Sequence, residues 1–112
     1  MACRAAGVVR RAGEDPNVAA YLIADIEVID SAGFEEYRAR APAVIAAHGG
    51  RYLARGGETE VLEGDWTPRR LVILQFPSMA ALKNWWGSPE YRALRVIRER
   101  VARSRFVATE SL

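Results

Sequence analysis

The sequence predicts an α+β fold, an antiparallel sheet backed by helices on one side, and three features carry that reading. Residues 21–29 alternate in character with period two, residues 34–48 carry an apolar stripe at spacings of three and four, and residues 70–76 are almost continuously apolar. With 112 residues the chain can build one modest core and is too short for two. Half of its residues are apolar and 27% are charged, which suits a compact globular domain better than a disordered chain.

Each element has its own signal. In the first strand, Tyr21 to Ile29, the residues Leu22, Ala24, Ile26 and Val28 share one face while Tyr21, Ile23, Asp25 and Glu27 share the other. Asp30 or Ser31 caps the first helix, whose stripe is Phe34, Tyr37, Ala41, Val44, Ile45 and His48. Pro42 removes one amide donor and crowds the preceding turn, so a kink is expected near residues 38–42. Gly49-Gly50 ends that helix, because glycine accepts the left-handed conformation common just past a C-terminus. Gly50 to Arg55 and Glu60 to Glu63 read as short strands joined by Gly56-Gly57-Glu58-Thr59 in a hairpin-like ribbon. After the turn Gly64-Asp65-Trp66-Thr67-Pro68 comes the central strand, Arg70 to Phe76.

Pro77-Ser78 opens a second helix that reaches Trp85 or Trp86, and Ser88-Pro89 supplies the N-cap and first-turn proline of a third, running to about Arg103. In that third helix Tyr91, Leu94, Ile97 and Val101 form the core stripe, and Arg95 and Glu99 are spaced to pair across one turn. Phe106 to Glu110 closes the sheet. The order β-α-β-β-β-α-α-β is an elaborated split β-α-β layout of the ferredoxin-like kind. One sheet face then remains uncovered, with Tyr21 and Ile23 on it, and a homodimer packed sheet face against sheet face is the simplest remedy.

The charge balance narrows the partners. Sixteen basic and fourteen acidic side chains leave a net charge of +2, with no helix-turn-helix pattern and no concentrated basic groove, so nucleic acid is not an expected partner. A single cysteine, Cys3, permits no disulfide framework within one chain and fits a reducing, cytoplasmic setting. Nothing near the start has the apolar run of a signal peptide, and no segment approaches the roughly 20 apolar residues of a membrane helix. Residues 1–19, rich in Ala, Gly and charge, read as a flexible extension, and residues 20–112 as the single domain.

The stretch from His48 to Trp66 is the expected site, because polar, glycine and aromatic residues interrupt the apolar periodicity there. His48 is the one histidine and can serve as a general base; closing an apolar stripe, it can equally cap carbonyls in the core. Arg55, beside Gly56-Gly57, offers planar paired donors to a carboxylate, enolate or phosphate; the structural alternative is an ion pair with Glu60, Glu63 or Asp65. Tyr37 and Tyr52 can donate to a carbonyl, although Tyr37 also belongs to the core stripe. Trp66 suits a pocket edge or a dimer contact, whereas Trp85 and Trp86 suit packing. Asp25 and Glu27 can line a cavity, lie solvated or pair across a dimer. One histidine makes no multi-histidine metal site, and nucleophile elbow, phosphate loop, dinucleotide fingerprint and CxxC pair are all missing, so neither metal nor cofactor is expected.

Several motifs in one order, His48-Gly49-Gly50-Arg51-Tyr52-Leu53, Arg55-Gly56-Gly57, Glu60 through Trp66, Phe76-Pro77-Ser78, Trp85-Trp86 and Ser88-Pro89-Glu90-Tyr91, closely resemble the bacterial domain-of-unknown-function 1330 family over residues 20–112. The resemblance implies a dimeric α+β barrel, a fold shared with heme-degrading and antibiotic-biosynthesis monooxygenases, and implies no reaction. The leading expectation is a homodimer that binds a small, partly apolar ligand between sheet and helices, near His48, Tyr52, Arg55 and Trp66. In its enzymatic form this is cofactor-independent proton transfer or oxygenation, with His48 as base and Arg55 stabilising negative charge on a small carbonyl or anionic compound. The alternative is a non-catalytic binding or assembly module.

Overall fold

The computed structural model describes residues 18–112; the extension expected over residues 1–19, and Cys3 within it, falls almost wholly outside them. Four strands, β1 (Ala20–Val28), β2 (Arg51–Arg55), β3 (Leu71–Phe76) and β4 (Ala102–Glu110), alternate with α1 (Ser31–Ala47), α2 (Met79–Trp86) and α3 (Pro89–Val101) in the order β1-α1-β2-β3-α2-α3-β4. The strands form one antiparallel sheet in the order β2-β3-β1-β4. This is the ferredoxin-like α+β arrangement.

Period two in β1 and β3 explains how the core is built. Leu22, Ala24 and Ile26 of β1 and Val72, Leu74 and Phe76 of β3 are buried against the helices. The alternate residues Tyr21, Ile23, Asp25, Leu71 and Ile73 lie half-buried on the outer face. Pairing of Ile23 with both Ile73 and Val107 carries a short apolar row across three strands of that outer face.

Local signals position the helices. Asp30 caps α1 by accepting from the Gly33 amide at 3.1 Å, and Ser78 and Ser88 cap α2 and α3 in the same way. α1 continues through Pro42 for 17 residues and buries Phe34, Tyr37, Ala41 and Ile45. It stops at Gly49, where φ is +82°. Gly50 then lets β2 approach the core closely, since a Cβ there would stand 2.6 Å from Phe76 and 2.7 Å from Ile45. α3 buries Tyr91, Leu94 and Arg98, and its last carbonyl, on Val101, accepts from the amides of Ile29 and Asp30 at 2.8 and 3.0 Å, tying the end of α3 to the start of α1.

The structure departs from the expected ribbon. Residues 60–63 form no strand; β2 pairs directly with β3, and the Gly56 amide donates to Leu71 O at 2.8 Å. Pairing Leu71–Phe76 with β2 buries a continuous apolar strand, whereas Glu60-Val61-Leu62-Glu63 carries two glutamates and leaves Leu62 89% exposed. Residues 57–70 are therefore one long connection. Arg95 also declines the expected pairing with Glu99 and lies over the Trp86 ring instead, 4.0 Å from its centroid.

Two glycine substitutions check this account. Gly50→Ala is expected to lower unfolding free energy by about 1–3 kcal/mol through overpacking against Phe76 and Ile45. Gly57→Ala, with nothing within 4 Å of the added Cβ, should change it by less than about 0.5 kcal/mol. Urea denaturation of both variants measures the contrast.

Candidate functional site

A bulge in β2 creates the site's polar rim. Tyr52 opposes Leu74, Ala54 opposes Ile73 and Arg55 opposes Val72, so the register slips by one residue between Tyr52 and Ala54. In a regular strand, residues three apart point to opposite faces; the extra residue puts Tyr52 and Arg55 on the same, helix-facing side. The Arg55 guanidinium consequently lies over the Tyr52 ring, 4.7 Å from its centroid. Its Nη2 also donates to the Arg38 carbonyl at 3.0 Å. That carbonyl lies four residues before Pro42, which has no amide to give it. The proline thus frees a helix carbonyl and the arginine takes it.

Behind this rim lies a cavity between α1 and the sheet. The space open to the centre of a water molecule measures about 30 Å³, room for one or two waters, and the whole void, open solvent at its mouth included, about 430 Å³. Leu22, Ala24, Val72 and Leu74 floor it; Phe34, Tyr37 and Ala41 roof it. Among the described residues three arginines, Arg38, Arg55 and Arg70, line it, and no carboxylate does. Arg38 approaches Glu35 at 3.5 Å on the exposed side of α1, a pair worth little in water.

The cavity wall also contains donors without acceptors. Trp85 is fully buried, stacked 4.2 Å from Tyr91 and 5.3 Å from Phe76, and its Nε1–H has no hydrogen-bond partner among the described residues. The Nε of Arg70 is shielded and likewise unpartnered. The Tyr37 and Tyr91 hydroxyls bond each other at 2.8 Å. Burial, reinforced by the adjacent Tyr91, drives the Tyr37 hydroxyl far above the ordinary tyrosine range. Burial also raises Tyr52, against the opposing pull of Arg55. Both phenols therefore stay protonated; Tyr52, and one member of the Tyr37–Tyr91 pair, keep an O–H to donate, the chemistry that receives an anion or a polarised carbonyl.

The residues expected from sequence fall into three places. Tyr52 and Arg55 come together at this cavity. His48 does not join them: its Nδ1 lies 3.0 Å from the Val44 carbonyl, and it borders a separate groove with Ala43, Ala47 and Glu90. Trp66 lies across the outer sheet face, donating from Nε1 to Asp25 Oδ2 at 3.0 Å, while the Arg69 amide donates to Asp25 Oδ1 at 2.9 Å. Asp25 thereby anchors the long β2–β3 connection. Arg55 makes no ion pair with Glu60, Glu63 or Asp65 among the described residues. Arg38 and Arg70 escaped the sequence reading, although Arg38, four residues before Pro42, was a detectable signal. No group of three potential metal ligands occurs among the described residues.

The family model for a domain of unknown function, DUF1330, matches residues 19–112. The chain belongs to the DUF1330 family. No curated protein matches it in sequence. Among solved structures, this DUF1330 chain is similar to RPA0582, a protein of unknown function from Rhodopseudomonas palustris, with 20% identity, a TM-score of 0.68, and 91% of this chain and 85% of that one covered. It is also similar to a proposed antibiotic biosynthesis monooxygenase from Caulobacter crescentus, at 16% identity and a TM-score of 0.61 over 90% and 92% of the two chains. SnoaB, a cofactor-independent oxygenase from Streptomyces nogalater, aligns with a TM-score of 0.54 at 16% identity over 83% and 91%. At these identities the likeness is one of fold. No helix among the described residues of the DUF1330 chain is long and apolar enough to cross a membrane.

The link from Pro42 through Arg38 to Arg55 is testable by a double-mutant cycle. Arg55→Met strands a carbonyl in the wild type, whereas in the Pro42→Ala background the new Ala amide can take it. The loss on Arg55→Met should be about 1 kcal/mol smaller in that background, measured by urea denaturation. Asp25 gives a pH signature. Burial pushes its carboxyl up, but the Trp66 indole, the amides of Arg69 and Arg70, and Arg105 together bring it below its ordinary value of 3.8. A carboxyl depressed in the folded state stabilises fully above its unfolded value and loses that contribution as pH falls through the folded one. The stability gap between wild type and Asp25→Asn should therefore be flat from about pH 8 to 5 and shrink below about pH 4.

Proposed function

We propose that the protein binds a small, partly apolar anion, or a carbonyl compound that becomes anionic, in the cavity between α1 and the sheet. The observation that carries this reading is the lining: among the described residues, three arginines and no carboxylate around a largely apolar space. The anionic end would meet Arg55 and Arg70, whose planar donors suit a carboxylate or enolate. The apolar body would lie against Phe34, Tyr37 and Trp85, with the unpartnered Trp85 indole available to an acceptor at the inner end. Because the space is small, entry would require the rim to open at Arg70, which is partly exposed, while Arg55 stays tied to the Arg38 carbonyl.

Catalysis in this cavity would take a particular form. Among the described residues the lining holds no imidazole and no carboxylate, and its two phenols are held protonated by burial, so these residues can stabilise negative charge better than they can abstract a proton. This favours a substrate that ionises readily, such as a phenol or a 1,3-dicarbonyl compound. The shared fold with SnoaB, a cofactor-independent oxygenase, supports such chemistry by analogy alone. We further propose that the protein acts as a homodimer through the outer sheet face, where Tyr21, Ile23, Leu71 and Ile73 remain partly exposed and Val107 is 60% exposed.

Thermal unfolding against a panel of aromatic carboxylates, phenols and 1,3-dicarbonyl compounds tests the site. A ligand at 100 times its Kd should add about 2.7 kcal/mol of apparent stability. That gain should vanish in Arg55→Met and in Arg70→Met; hits that persist undiminished in both variants would sink the assignment. Sedimentation of Ile23→Glu and Val107→Glu tests the dimer, with monomers expected from both.

A further inference from the structure

Arg98 stands where an apolar residue is expected. It follows Tyr91 and Leu94 on the buried stripe of α3, and it is only 4% exposed. Its guanidinium lies 4.2 Å from the centroid of the Phe106 ring and 5.9 Å from that of Tyr37. Among the described residues no carboxylate pairs with it and no acceptor takes its Nε–H. A second orphan borders the same space, the shielded Oγ of Ser104 on β4. Both line a groove of about 330 Å³ between the end of α3 and β4, along with Trp86, Arg95, Glu99 and Phe106.

We propose that this groove is a second binding site, for a compact oxyanion, a carboxylate or a phosphate, received by Arg98 and the Ser104 hydroxyl. A buried cation without a counter-charge is destabilising, and the neighbouring rings offset only part of that cost. The arrangement makes chemical sense when an anion completes it. Arg95 contributes a second positive charge at the rim, its guanidinium carbon 4.0 Å from the centroid of the Trp86 ring and its Nη2 donating to the Trp86 carbonyl at 3.3 Å. Among the described residues Glu99 is the one carboxylate lining the groove; it bonds to neither arginine and sets a limit on how much negative charge the site accepts. The apolar faces of Trp86 and Phe106 leave room for an aromatic body on the oxyanion. This site is independent of the cavity reading, since neither Arg55 nor Arg70 borders it.

The test follows the indole N–H resonance of Trp86 and the melting temperature while inorganic phosphate, acetate or benzoate is added at constant ionic strength, with chloride as control. A saturable shift of the Trp86 resonance is expected with at least one probe. Its apparent Kd should weaken at least tenfold in Arg98→Met and severalfold in Ser104→Ala, and stay unchanged in Arg55→Met. Arg98→Met should also raise the melting temperature without probe, because it removes an unpaired buried charge. Ser104→Ala keeps the test decisive if the arginine variant folds poorly. Saturation by phosphate alone would assign a phosphoryl group, and by benzoate alone an aromatic carboxylate. No saturable shift with any probe, or equal affinity in wild type and both groove variants, would overturn the proposal.

Discussion

The hydrogen bond between the hydroxyls of Tyr37 and Tyr91, 2.8 Å long and joining residues 54 apart in sequence, sets how α1 sits against α3. Both rings belong to one aromatic chain. Phe34 lies 5.3 Å from Tyr37, Trp85 lies 4.2 Å from Tyr91, and Phe76 on β3 lies 5.3 Å from Trp85, so the contact runs from α1 through α3 and α2 down to the sheet. A buried hydroxyl without a partner would cost about 1–3 kcal/mol, which makes this pairing far more selective than ring packing alone. Two hydroxyls sharing one bond also leave one O–H over. The pair therefore always has a donor to offer, whichever tyrosine supplies the bond between them.

Much of this was legible in sequence, because the relevant signals are periodic or local. Leu22, Ala24 and Ile26 keep their strand face, and Phe34, Tyr37, Ala41 and Ile45 their helix face. Asp30, Ser78 and Ser88 cap as their side chains dictate. The errors arise where the decision is made by residues distant in sequence. Glu60–Glu63 reads as a short strand beyond the Gly56-Gly57-Glu58-Thr59 turn, but Leu71–Phe76 competes for β2 and buries more apolar surface. Arg55 three residues after Tyr52 should face away from it, and only the slip against β3 brings them together. Arg98 was visible as an arginine four residues after Leu94 in core phase, yet the three-residue step from Leu94 to Ile97, and on to Val101, offered a more apolar stripe and hid it.

Pro42 shows how a local defect can be put to use. A proline within a helix is usually explained as a kink, yet α1 runs on through it to Ala47. What the proline changes for the site is the hydrogen-bond inventory. The carbonyl it frees, on Arg38, would need an outside donor in any case, and Arg55 is the donor that arrives. One guanidinium nitrogen is thereby fixed while the remaining donors stay available at the cavity rim. A side chain anchored at one atom loses less freedom on binding a ligand than one that is wholly mobile, so the same contact that repairs the helix also prepares the rim.

The two basic sites differ in how their positive charge is tolerated. At the cavity rim the arginines reach solvent, so their charges persist without counter-ions, and the rim needs no occupant to be stable. Arg98 is withdrawn from solvent, and Phe106 and Tyr37 give it only the electron-rich faces of rings. Its unpaired charge weighs on the fold whenever the groove lacks an anion. An anion bound at the first site would be selected by shape and by the apolar depth behind the rim, whereas one bound at the second would be held by charge in a low-dielectric setting and would stabilise the end of α3 directly. Phe106 lines both spaces and the Tyr37 ring lies 5.9 Å from Arg98, so an anion held on Arg98 would act beside two rings that the cavity also touches.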